Sequence, residues 1–189
     1  MQKRKPVYYH PDFVTNVEFY GQEGVKRYWL KIEIDKSKKE TIVVILKNPS
    51  RATKRVSDKT VFNVTNYIKF NVNGYPELSN IGNIVILNLI PNYETYSENL
   101  KKLNESIIDK ENLKFIDKFS KENKRIIIAW GNAPKGLEKD YFDLKNSTLE
   151  ILNKNKNSIF YVDKISKSGN PKHGQIWAYK NELKKFDLR

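Results

Sequence analysis

At 189 residues, with 39% hydrophobic and 30% charged side chains, the chain is long enough to bury one ordinary core, and no Pro/Gly/Ser-rich linker divides it. It has no cysteine and only two histidines, His10 and His173, which excludes disulfides, thiolate nucleophiles and cysteine-based metal centres; no metal and no cofactor is expected. Thirty-five Lys and Arg against 22 Asp and Glu leave a net charge of +13 and favour an anionic partner, nucleic acid first, although an AT-rich codon usage would scatter lysines over a surface just as well.

The first residues, Met1-Gln2-Lys3-Arg4-Lys5-Pro6, lead into Tyr8, Tyr9 and His10 without the apolar centre of a signal peptide. No stretch is apolar for long enough to span a bilayer, so a single cytoplasmic domain with no membrane contact is expected. Phe13 to Phe19 and Arg27 to Asp35 alternate apolar and polar residues around Gly21 and Gly24, which predicts a β-hairpin. Thr41 to Leu46, Asn83 to Leu89 and Arg125 to Trp130 are instead nearly continuous apolar runs rich in β-branched residues, the pattern of strands covered on both faces. Ser158 to Val162 is a weaker fourth.

Helical periodicity fills the gaps at Asp58 to Phe70, at Glu98 to Phe119 with an interruption near Asp109, and at Tyr141 to Asn153. Ser57 and Asp140 are the expected N-caps. Strands alternating with helices predict an α/β fold, a three-layer α/β/α sandwich with a central, mostly parallel sheet and the N-terminal hairpin added.

Three of the strands run into polar, Pro-bearing loops. Asn48-Pro49-Ser50 follows the first, Asn88-Leu89-Ile90-Pro91 closes the second, and Gly169-Asn170-Pro171-Lys172-His173 follows the fourth. Pro49 cannot continue a ladder, so the chain must turn out at the strand's carboxyl end and display Asn48 and Ser50. An Asx-turn would use the same residues merely to stop the strand. Asn88 stands inside an apolar run, where an unpartnered amide costs about 1 to 3 kcal/mol, so a ligand or a fixed backbone partner is expected there. His173 lies between Pro171, Lys172 and Gly174, a loop setting in which an imidazole can donate a hydrogen bond, transfer a proton or face negative charge. Around the first loop Lys47, Arg51, Lys54, Arg55 and Lys59 oppose Asp58 alone, and the segment from Lys164 to Arg189 is basic as well.

Asn-Pro-Ser, then Asp58-Lys59-Thr60, Asn88-Leu89, Ala129-Trp130-Gly131 and Gly-x-Pro-Lys-His, in that order over roughly residues 27 to 180, resemble an uncharacterised bacterial and phage family carrying Asn-Pro-Ser, Asn-Leu, Trp-Gly and Gly-x-Pro-x-His-Pro. Gly174 departs from the proline usual after that histidine. The arrangement is more distantly similar to the uracil-DNA glycosylase superfamily, whose three-layer fold has its active site at the carboxyl edge of a parallel sheet. That resemblance implies a cofactor-independent hydrolase that releases a damaged or modified base from nucleic acid, DNA favoured. It implies that Asn48 positions the hydrolytic water, Asn88 reads the base, and His173 stabilises the departing base. Ser50, Asp58, Thr60 and Tyr93 would touch substrate, with Tyr93 or Phe62 as stacking candidates. Lys47, Arg51, Lys54, Arg55 and Lys172 would hold phosphates. A non-catalytic binding module for DNA or nucleotides, and an enzyme acting on a free nucleotide, stay open beside it. The sequence fixes no oligomeric state.

Overall fold

The structure, a computed structural model, describes residues 6–103 and 106–187. Seven strands form one mixed sheet in the order β1-β2-β4-β3-β5-β6-β7. They are β1 (Asn16–Gln22), β2 (Lys26–Glu33), β3 (Glu40–Leu46), β4 (Ile81–Asn88), β5 (Arg125–Ile128), β6 (Ser158–Val162) and β7 (Leu183–Lys185), with helices α1 (Lys59–Asn71), α2 (Lys110–Glu122) and α3 (Glu138–Lys154) between them.

The inner strands β4, β3, β5 and β6 are parallel. The hairpin is not an appendage. Its second strand pairs antiparallel with β4 from Trp29↔Leu87 to Glu33↔Asn83, and β7 closes the far edge antiparallel to β6. The sheet is therefore mixed rather than mostly parallel. The physical reason lies in β2, whose half-buried alternating side chains would be left on a bare ribbon without the edge of β4 as a partner.

Strand β3 shows why an apolar run marks the centre. Ile42, Val44 and Leu46 pack on one face with Val61, Val64, Tyr67 and Ile68 of α1, whereas Val43 and Ile45 pack on the other with Ile116 of α2 and Tyr141, Leu144 and Leu152 of α3. Each such side chain taken out of water contributes roughly 1.5 to 3 kcal/mol, so neither face of β3 can carry polar residues.

Helix boundaries differ from expectation where capping decides them. Asp58, not Ser57, caps α1, because its Oδ1 accepts the Val61 N–H at 2.9 Å. Asp109 caps α2 in the same way through Asn112 N–H, which accounts for the interruption in the periodicity there. The segment before it forms only a 3-10 turn, Ser97–Lys102, and Asn104 and Glu105 lie outside the described residues, as does Arg189 of the basic tail. Asp140 sits inside α3, whose N-cap is Leu137.

From β3 the chain passes through α1 over one face to reach β4. It then returns through α2 over the opposite face to β5, on the other side of β3. Connections that diverge in this way leave a crevice outside the carboxyl ends of the central strands, the usual ligand site of open α/β sheets.

Candidate functional site

A cleft of about 560 Å³ occupies that crevice. Its walls come from Lys47, Asn48, Ser50 and Arg51 after β3, Asp58, Lys59 and Thr60 at the start of α1, Glu94, Thr95 and Ser97 after β4, and His173, Gln175 and Ile176 after β6; Pro6 and Tyr8 close one side. Among the site residues expected from sequence, Lys47, Asn48, Ser50, Arg51, Asp58, Thr60 and His173 are thus brought together.

The amide of Asn48 is oriented by its surroundings. Its Nδ2 donates to the carbonyls of Pro49 at 2.9 Å and Glu94 at 2.6 Å, so both amide hydrogens face backbone. Nothing among the described residues donates to Oδ1, which is left as an acceptor for a ligand or water. His173 is fixed in the complementary sense. Its Nδ1 accepts the Gln175 N–H at 3.2 Å, so the neutral ring carries its proton on Nε2. Burial, with the positive charge of Lys47 adding to it and the negative charge of Asp58 opposing it, lowers its pKa to about 4. At neutral pH the ring is therefore an uncharged donor and not the cation that its basic setting suggests. Burial also lowers the pKa of Lys47, an effect that Glu98 partly offsets.

The supports explain the short motifs. Asp58 is buried, and besides capping α1 its Oδ2 accepts N–H groups of Arg51 at 3.3 Å and Ala52 at 3.2 Å, so one carboxylate ties the first loop to the helix. Arg27, buried to 1% exposure, donates to the Ala52 carbonyl at 3.0 Å and lies 5.7 Å from the Tyr93 ring centre. Its pKa is lowered by burial and held up by Tyr93 and Asp58. Ala129 accepts the Gly174 N–H at 3.4 Å, which docks the histidine loop on the end of β5. Gly131 has φ +67°, and a Cβ there would lie 3.0 Å from the His173 Cβ. The buried Tyr141 hydroxyl donates to the carbonyls of Trp130 and Gly131 at 3.0 and 3.2 Å, pinning that turn to α3. A Cβ on Gly174 would come 2.7 Å from Val64, so a glycine at this position lets the loop sit against α1.

The family model described as protein of unknown function (DUF1643) matches residues 27–174. The chain belongs to the DUF1643 family. No curated protein and no solved structure matches it. The DUF1643 span begins at Arg27, under the first loop, and ends at Gly174, on the docked histidine loop. Pro6 and Tyr8 line the cleft from outside that span.

Other expected residues of this DUF1643 protein lie away from the cleft walls. Asn88 is fully buried, with neither amide atom hydrogen-bonded, while its backbone carbonyl accepts from Asn112 at 2.8 Å. Tyr93 packs under Arg27, and Phe62 packs on Tyr8 with ring centres 5.5 Å apart. Lys54 lies over the Phe19 ring, Arg55 is exposed on the loop, and Lys172 is turned to Asp163 at 2.6 Å and Asn181 at 3.1 Å. Sequence reasoning missed Tyr8, Arg27 and Lys59 as parts of the site. Lys59 carried a signal, since it stands between Asp58 and Thr60 in a motif already singled out from the sequence; Tyr8 carried none. Among the described residues no group of three or more His, Asp or Glu could hold a metal ion, and no helix is long and apolar enough to cross a membrane.

Proposed function

We propose that this cleft hydrolyses the N-glycosidic bond of a damaged or modified base in nucleic acid, DNA favoured, on a three-layer framework like that of the uracil-DNA glycosylases. The observation that carries the reading is the pairing in one cleft of an Asn48 Oδ1 free to accept and a His173 ring held neutral with its proton on Nε2. Asn48 orients a water toward the anomeric carbon. The C1′–N bond breaks with its electron pair leaving on the base, the water oxygen joins C1′, and the water's proton is lost to the base or solvent. An asparagine cannot take that proton, so the barrier is lowered mainly on the leaving-group side, where the His173 N–H donates to the charge building on the base. A neutral donor suits an anion that accumulates in a water-poor site, because it needs no proton of its own to be moved.

Asn88 is assigned to the polar edge of the base. It ends the strand beside β3, opposite Leu46, with both amide atoms free, and reaching it requires the side chains that cover it to move aside on binding. The base must be flipped or presented single-stranded to enter. Lys47 and Arg51 line the cleft, with Lys54 and Arg55 further along the same loop and Lys172 beside His173, paired with Asp163.

Incubating the protein with oligonucleotides that carry assorted modified bases, followed by alkaline cleavage at abasic sites, tests the reading. Base release that falls about 100-fold in both Asn48→Ala and His173→Ala is the expected result. Release from no substrate, or release that both variants leave intact, overturns it.

A further inference from the structure

We infer that the cleft is built around one nucleotide unit, with the phosphate held by Lys47, Arg51, Lys59 and the start of α1, and with Tyr8 as the face against which the base packs. This deepens the proposed function and rests on it for the bond that is broken, but the binding claim stands on separate observations.

The first is an imbalance of partners along the walls. The carboxylate of Asp58 is occupied by three backbone N–H groups, and Glu94 accepts the Tyr96 N–H at 2.9 Å. Lys47, Arg51 and Lys59 line the same space and make no ion pair among the described residues. The cleft thus presents three cations in no ion pair, although Asp58 and Glu94 stand on the same walls and Glu98 acts on Lys47 without touching it. The second is the direction of α1. Asp58 takes the Val61 N–H, whereas the N–H groups of Lys59 and Thr60 have no acceptor within the helix, and both residues line the cleft. An anion placed there meets free donors and the positive end of the helix together with the three side chains. The hydroxyls of Ser50 and Thr60 are on the same walls.

The third observation concerns the opposite side. The N-terminal segment is strapped to the first loop by the Ser57 N–H to the Tyr8 carbonyl at 2.8 Å and by His10 Nε2 to the Thr53 carbonyl at 3.0 Å. Tyr8, held in addition by Phe62, is the only Tyr, Phe or Trp among the described residues that line the cleft. A volume of about 560 Å³ suits one small ligand with an anionic end and a flat end. The two lysines and the arginine farther out do not extend the cation wall: Lys172 is paired with Asp163, and Lys54 and Arg55 are not on the cleft.

Calorimetric titration of the full chain with nucleosides, their 3′- and 5′-monophosphates, inorganic phosphate and a short single-stranded oligonucleotide tests the inference. A monophosphate should bind at least tenfold more tightly than its nucleoside. That preference should shrink fivefold or more in Arg51→Gln and in Lys59→Gln, and Arg51→Lys should restore most of it. Tyr8→Ala should weaken nucleoside and monophosphate alike. Arg51 and Lys59 are exposed, so an unchanged unfolding temperature is expected for their variants. An oligonucleotide that binds no better than the monophosphate identifies a free nucleotide as the source of the unit; one that binds better, with the same loss in Arg51→Gln, identifies a strand. Equal affinity for nucleoside and monophosphate, a preference that neither substitution touches, or binding of nothing in the panel overturns the inference. Base release is scored separately, so a monophosphate preference without release removes the glycosylase reading and leaves this one standing, and release without the preference does the reverse.

Discussion

The substitution Gly131→Ala tests how the strand β5 turn sets the position of His173. Two costs add at this position. An L-residue at φ +67° sits in the left-handed region, which disfavours a non-glycine residue by about 1 to 2 kcal/mol. The new Cβ would also stand 3.0 Å from the His173 Cβ and 3.4 Å from its Cδ2, a crowding worth about 1 to 2 kcal/mol in a packed site. The turn cannot easily swing away, because the Tyr141 hydroxyl holds the carbonyls of Trp130 and Gly131, which flank the Gly131 Cα. Gly24→Ala separates the terms, since Gly24 has φ +78° and nothing within 4 Å of its added Cβ. For a chain of this size 1 kcal/mol moves the midpoint by about 2 to 4 °C, so thermal unfolding followed by circular dichroism should show Gly131→Ala falling by about 4 to 16 °C and Gly24→Ala by about half as much. In addition, the ring displaced toward water should lose part of its desolvation, and its pKa, read by NMR, should rise from about 4. Equal losses in the two variants together with an unaltered His173 titration would refute the claim that Gly131 is there for the histidine.

Asp58→Ala removes a cap and two loop contacts at once, and a loss of about 2 to 3 kcal/mol in urea unfolding is expected, above the roughly 1 kcal/mol of an ordinary N-cap. Asn88→Leu should raise stability by about 1 kcal/mol, because the buried amide leaves both polar atoms unbonded in the free protein, while abolishing base release if the amide reads the base; a destabilised variant would show that the amide is satisfied in the fold. His173 has a folded pKa of about 4, below the ordinary 6.5, so the unfolded chain binds more protons between these values. Its contribution is therefore complete above pH 6.5 and is lost as the pH falls toward 4, by about 3 kcal/mol at most. The stability difference between wild type and His173→Gln, followed from pH 7 to 4, should shrink by that order, and a constant difference would contradict the buried neutral ring.

The strands were legible because their signal is local. Ser158 to Val162 is observed unchanged, and β3 and β4 differ from expectation by one or two residues at their ends. A run such as Ile42 to Leu46 states its own burial on both faces, whatever lies far away in the chain. Strand β7, three residues with two of them lysine, carries no such statement and exists because β6 offers an edge. The caps were legible in kind and misplaced by position: Ser57 and Asp58 are both good capping residues, and what decides is which oxygen reaches the Val61 N–H. Convergence of Asn48 and His173 was not legible, because 125 residues of separation state no distance; it is the parallel pairing of β3, β5 and β6 that brings both loops to one cleft. Tyr8 was invisible because its place depends on a backbone bridge to Ser57, 49 residues away in a region with no strand signal.

Charge gives the sharpest contrast between what a sequence sums and what a structure distributes. The surplus of 13 is plain from counting, and near the first loop it is five basic residues against one acid. The single acid looks like a partial counterweight, but its carboxylate is held by N–H groups of residues 51, 52 and 61, where it completes a turn and a helix start. On the other wall Glu94 accepts one backbone N–H, that of Tyr96, through Oε1. Lys172, in contrast, counted with the basic tail, is paired side chain to side chain with Asp163. Where positive charge acts is thus set less by where the lysines are than by what the nearby carboxylates have already bonded. An acid satisfied by peptide N–H groups is locally neutralised by dipoles and leaves its cationic neighbours free for a ligand. Substituting Asp58 should therefore do more harm to the cleft by loosening its walls than good by removing a negative charge, and an Asp58→Asn protein that bound nucleotide more tightly than wild type would show that the carboxylate acts as a counter-ion after all.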